Sequence, residues 1–244
     1  MNMIINKLLK IVLVILSVAF IILEVQQLVF YADIASTVLL LLFTFLYIRG
    51  KLSRRPYLLY FLITFTISEI ISLGANFVTL TTDSIDYNYY VGNFLYMLAY
   101  VFLILRCTIT MNFKDIIKRF PVTIAILAIL GVFCVTLITE TAQNQLSTSE
   151  YVTEFLYNVV VMALVSIALI NYMHKDDNKA MLFFIATMFI FFSEMIQLAY
   201  YYVEDMVHLA AIYSVFLVLA FLFLYLQSKL KHERVEDFNL LPNN

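Results

Sequence analysis

Eight runs of about 20 predominantly apolar residues, near 8–28, 30–49, 56–79, 89–110, 120–139, 152–173, 180–203 and 207–228, leave this chain one kind of fold. A run of that length matches the roughly 30 Å of hydrocarbon in a bilayer, where every backbone amide must be bonded within its own segment or in a closed barrel. Barrel strands would alternate apolar and polar residues, and these runs are continuous. Composition agrees, with 64% apolar and 13% charged residues and a mean hydropathy of +0.94. Soluble domains hold roughly half and a quarter. The expectation is an all-α polytopic transmembrane bundle of about eight helices, a single domain over 1–228 followed by a flexible cytoplasmic tail over 229–244. Only a short segment around Glu24, Gln26 and Gln27 divides the first two runs, and a long hairpin there is the alternative.

Orientation follows from the basic residues, because Lys and Arg in short loops are retained on the cytoplasmic side. Lys7 and Lys10 precede the first run, Arg49, Lys51, Arg54 and Arg55 follow the second, and Arg106, Lys114, Lys118 and Arg119 surround the fourth-to-fifth connection. Lys175 and Lys179 join the sixth and seventh runs; Lys229, Lys231 and Arg234 begin the tail, which exhausts the 15 basic residues. The other connections carry Asp83, Asp86, Glu140, Glu150, Glu154, Glu204 and Asp205. Both termini are therefore expected in the cytoplasm, in a cell (inner) membrane, with the odd-numbered runs pointing outward. The basic face suits anionic lipid headgroups and is no nucleic-acid signal. Lys7, Lys10 and the apolar run ending in Ser17-Val18-Ala19 resemble a signal peptide with a weak cleavage site; the run is read as retained.

Ionisable groups within hydrocarbon cost about 2.5 kcal/mol or more, so those that occur are candidates for function. Glu69 lies in the third run within Thr66-Ile67-Ser68-Glu69-Ile70-Ile71-Ser72-Leu73, and Glu194 in the seventh within Phe191-Phe192-Ser193-Glu194-Met195-Ile196-Gln197-Leu198. Both segments read Ser-Glu-x-Ile-x-Leu, four helices apart and pointing the same way, which suggests a parallel 4+4 internal repeat. Each glutamate stands roughly 20–22 Å from the cytoplasmic end of its helix at 1.5 Å per residue. If the two helices are neighbours, their carboxyls face one another in a cavity and supply an acid and a base. Tyr96 and Tyr100 on the fourth run, Asn158 on the sixth and Tyr213 on the eighth fall at similar or shallower outer depths, so a cavity open to the outer leaflet fits them.

On these segments the chain resembles the YhhN family of eight-helix membrane proteins, whose characterised members are lysoplasmalogenases that hydrolyse the vinyl ether of lysoplasmalogens. The family carries Gly-Asp in the third helix and Ser-Asp in the seventh, matched here by Ser68-Glu69 and Ser193-Glu194. Tyr100 stands where the family's fourth helix has a His, and the family's Lys-Pro has no counterpart near Asp33. The resemblance implies a lysophospholipid substrate and no cofactor or metal. Glu69 and Glu194 would be the catalytic acid and base, and Tyr100, Asn158, Ser68, Ser193, Tyr96 and Tyr213 would hold substrate.

Other classes lose support. His174, His208 and His232 are read in loops or the tail, so no buried His cluster would hold zinc, and HExxH, GxSxG and Gly-rich phosphate loops are absent from a chain with four glycines. Two readings compete with hydrolysis. A membrane glutamate can bridge helices by hydrogen bonds alone, leaving a non-catalytic sensor or partner subunit that binds an apolar ligand in the same cavity. A proton-coupled transporter is the weaker one, since the helices lack the Gly or Pro interruptions common at transport sites.

Overall fold

The computed structural model describes residues 2–49, 56–75, 77, 87–203 and 207–230, with side chains from Lys7 onward. Among them are nine helices: α1 (Asn2–Val25), α2 (Val29–Arg49), α3 (Tyr57–Ala75), α4 (Tyr87–Thr108), α5 (Phe113–Arg119), α6 (Pro121–Ala142), α7 (Thr148–Lys175), α8 (Asn178–Tyr202) and α9 (Val207–Lys229). All except the seven-residue α5 are long and apolar enough to cross a membrane. The chain is an integral membrane protein. The tail beyond residue 230, and the loop residues Lys51, Arg54, Arg55, Asp83, Asp86, Glu204 and Asp205, lie outside the described residues.

Local chemistry explains where the helices begin and end. The first two runs are separate helices joined by a tight turn, in which Gln27 takes a left-handed φ of 55° and the Leu28 amide bonds back to the Leu23 carbonyl at 3.0 Å. Pro121 occupies the first turn of α6, where its missing N–H removes no helical bond. At α7, the Ser147 hydroxyl accepts from the Glu150 amide while Glu150 accepts from the Ser147 amide at 2.8 Å, a reciprocal cap that starts the helix four residues before the apolar run. Asp176, left-handed at φ 48°, stops α7, and Asp177 then caps α8 through the Ala180 amide at 2.6 Å.

Arg49, Arg106, Lys175 and Lys229 fall in the last turns of α2, α4, α7 and α9, where a cation complements the helix dipole and marks one end of the bundle as basic. Two ties fasten that end: Arg106 donates to Gln227 of α9 at 2.6 Å, and Lys175 to Thr110 at 2.7 Å. The opposite end is termed the acidic end below. His174 and His208 lie on α7 and α9 rather than in loops.

The helices pack as a closed ring in the order α1, α2, α3, α4, α7, α8, α9, with α9 returning to α1. α6 stands outside, against α7 and the edge of α8. With few glycines to bring backbones together, aromatic rings fill the centre: Phe221 of α9 meets Phe43 of α2 at 5.6 Å and Phe65 of α3 at 5.5 Å, and Phe61 stacks on both Tyr100 and Phe221. Ala99, Ala168, Ala186 and Ala220, fully enclosed, occupy the close approaches between these rings.

Candidate functional site

The Ser-Glu segments build matching joints in the two halves. Ser68 on α3 donates to the Gly92 carbonyl of α4 at 2.9 Å, and Ser193 on α8 donates to the Tyr213 carbonyl of α9 at 2.9 Å. The acids follow the same rule. Glu69 accepts from Ser36 of α2 at 3.1 Å, and Glu194 from Tyr157 of α7 at 2.7 Å. In each half the second helix donates to the acid of the third, and the preceding serine pins the third helix to the fourth, as a duplicated four-helix unit would.

α4 serves both acids. Tyr96 donates to the other oxygen of Glu69 at 2.7 Å, and Tyr100, one turn further on, donates to the other oxygen of Glu194. Polar groups held away from water persist when bonded, and here four carboxyl oxygens meet four hydroxyls. α3 and α8 are not neighbours in the ring, because α4 and α7 stand between them. The two carboxyls feel one another's charge, yet each is held by hydroxyls instead of by its counterpart.

A cavity of about 360 Å³ opens among α3, α4, α7 and α8 at the acidic end. Its wall includes Ser72 of α3, Asn93 and Tyr96 of α4, Glu154, Tyr157 and Asn158 of α7, and Glu194, Gln197 and Tyr201 of α8. Glu194, Tyr96 and Asn158, expected from the sequence, thus meet in one place. Tyr100 is fully enclosed and stands behind the wall, bonded to Glu194 and against the ring of Tyr157. Glu69 is absent from the wall, Ser68 and Ser193 are spent on helix joints, and Tyr213 is directed at Glu24 near the end of α1.

Glu154 is the residue that sequence reasoning missed. Its place at the outer end of the sixth apolar run reads as an interfacial loop acid, but the early start of α7 puts it nearly two turns into the helix, 8% exposed and in the cavity wall. The signal was there: Glu154, Tyr157, Asn158, Val161, Leu164, Val165 and Ala168 form one stripe at helical spacing, and all are buried. Glu154 accepts one long bond, 3.4 Å from Asn158 Nδ2, and lies within electrostatic range of Glu194. The cavity therefore does hold two carboxyls, contributed by α7 and α8.

A second hollow of about 320 Å³ lies between α6 and α7, walled by Leu127, Val135, Phe155 and Met162 without a titratable group. Among the described residues no three His, Cys, Asp or Glu side chains are grouped to hold a metal ion. Compared with known proteins, the chain matches no family model, no curated sequence and no solved structure.

Proposed function

We propose that this membrane protein is a hydrolase of the lysoplasmalogenase type, resembling the YhhN family, and that it cleaves the vinyl ether of a lysophospholipid at the acidic-end cavity. The observation that carries the reading is the presence of two carboxyls, Glu154 and Glu194, in the wall of one cavity. The reaction needs an acid and a base and little else. One carboxylic acid delivers its proton to the outer vinyl carbon, leaving an oxocarbenium at the carbon bonded to oxygen. The other, as carboxylate, takes a proton from water while the water oxygen bonds to that carbon. The resulting hemiacetal parts into an aldehyde and the glycerol hydroxyl, and proton exchange with solvent resets the pair. Glu69, which the resemblance pairs with Glu194, is a positioning residue in this scheme, holding Tyr96 in the cavity wall.

The test is aldehyde release from a lysoplasmalogen by the purified protein. General acid–base groups contribute about 10²–10⁴-fold, so Glu154→Gln and Glu194→Gln should each lower the rate at least a hundredfold while the helical spectrum is retained. Full activity in both variants would sink the mechanism. A second reading, a non-catalytic sensor or partner subunit using the same cavity, is favoured by the hydroxyls already bonded to Glu194. It requires a ligand that binds and is recovered unchanged.

A further inference from the structure

Among the described residues α5 is the one helix too short to cross a membrane, yet both its neighbours, α4 and α6, are long and apolar enough to do so. Its seven residues cover about 10 Å, so it sits at the membrane surface, at the basic end where α4 finishes. Packing fixes its orientation. Ile116, 2% exposed, and Phe120 join the central apolar cluster of the bundle. At about 100° per residue the next stripe around the helix is Phe113 and Ile117, 52% and 60% exposed, and beyond it stand Lys114 and Lys118, both exposed. Asp115, the one acid of α5, accepts from Asn112 Nδ2 at 2.6 Å, and Arg119 lies over the ring of Phe120 at 5.3 Å. Neither lysine has an ion pair or hydrogen bond among the described residues.

We infer that α5 lies flat in the headgroup layer as an in-plane anchor. Lys114 and Lys118 hold the phosphate of an anionic phospholipid, while Phe113 and Ile117 dip among the first carbons of its acyl chains. An apolar stripe beside a stripe of lysines is the pattern by which a helix binds a membrane surface without crossing it. Side chains four apart on a helix are neighbours, with roughly 6 Å between their Cβ atoms, so both ammonium groups reach one phosphate. Lys114, Lys118 and Arg119 stand against a single acid that Asn112 already occupies, which favours a headgroup of net negative charge over a zwitterionic one. This differs from the basic character of the bundle end as a whole. Arg106 and Lys175 are tied inward to Gln227 and Thr110, whereas α5 turns its lysines outward. Neither stripe borders the acidic-end cavity, so the anchor is independent of the reaction proposed there.

The experiment exploits the lack of tryptophan in the chain. Full-length Phe113→Trp, and separately Ile117→Trp as a second probe on the same stripe, is reconstituted in vesicles of phosphatidylcholine and phosphatidylglycerol in equal amounts. Bromine, a contact quencher of indole, is carried on the acyl chains of one lipid or of the other, and the ratio of quenching gives their relative affinity for α5. A lysine at an anionic surface contributes about fivefold, so phosphatidylglycerol should be preferred at least fivefold, and Lys114→Gln with Lys118→Gln should bring the two lipids near parity. Equal quenching by the two lipids overturns the inference, as does a preference that survives both substitutions. An equal loss on changing Lys7 and Lys10 of α1 to Gln would assign the preference to the whole basic end and overturns it as well. Depth is read by moving the bromine along the chain. Strongest quenching from beside the ester supports the in-plane seat; strongest quenching from the chain ends, or only by aqueous iodide, overturns it.

Discussion

Removing the two tyrosine hydroxyls that hold Glu194 tests the joint most directly. Tyr100→Phe and Tyr157→Phe each delete one donor to Glu194 and leave the rings in place, including their edge-to-face contact at 6.1 Å and the stacking of Tyr100 on Phe61 at 6.3 Å. Hydrogen bonds to charged groups contribute about 1.5–3 kcal/mol in soluble proteins, whereas interhelical bonds in a bilayer average about 0.6 and reach about 1.7. Each single variant should therefore lose about 1 kcal/mol, because the remaining hydroxyl still serves the carboxyl. The double variant strips both oxygens of their hydroxyl donors, and its loss should exceed the sum of the singles by about 1–2 kcal/mol. Tyr96→Phe with Tyr100→Phe is the control pair. These hydroxyls serve different carboxyls, so their effects should add within about 0.5 kcal/mol. The assay is reversible unfolding in mixed micelles followed by far-ultraviolet circular dichroism, since the chain has no tryptophan to report by fluorescence. Additive loss for Tyr100 with Tyr157, together with coupling between Tyr96 and Tyr100, would refute the arrangement of the joint.

Three further outcomes are expected. Ser147→Ala breaks the reciprocal cap on α7 and should cost about 1 kcal/mol in the same unfolding assay, with Ser147→Gly costing less. A Cβ at Gly92 meets nothing within 4 Å, so Gly92→Ala should stabilise α4 by about 0.5–1 kcal/mol, and Gly92→Leu, projecting from the cavity wall, should abolish aldehyde release from a lysoplasmalogen with the helical spectrum intact. Cys134, part-exposed on α6, should react with a membrane-permeant maleimide in the folded protein, while Cys107, buried against the centre of the ring, should react only after unfolding; equal rates would contradict the packing of α4.

The spans were legible because lipid imposes the same demand on every crossing segment, and twenty apolar residues in a row satisfy it in only one way. Hence the eight long helices match the apolar runs, with ends shifted by caps such as Ser147 and Asp177 that hydropathy does not weigh. The short α5 escaped notice because seven residues reading Phe-Lys-Asp-Ile-Ile-Lys-Arg carry no span signal. Ser68-Glu69 and Ser193-Glu194 stood out as acids in the middle of apolar runs. Glu154 and Glu24 did not, since an acid near the end of a run looks the same whether it faces water or a neighbouring helix. Nor does hydropathy state which helices touch. The ring order brings α7 beside α4, and only that placement turns Glu154 from a boundary residue into part of the cavity.

Because Tyr96 and Tyr100 stand one turn apart on the same helix, α4 is the strut that the two buried acids share. Taking that helix away would strip a hydroxyl from both carboxyls at once, whereas losing α2 would bare only Glu69 and losing α7 only Glu194.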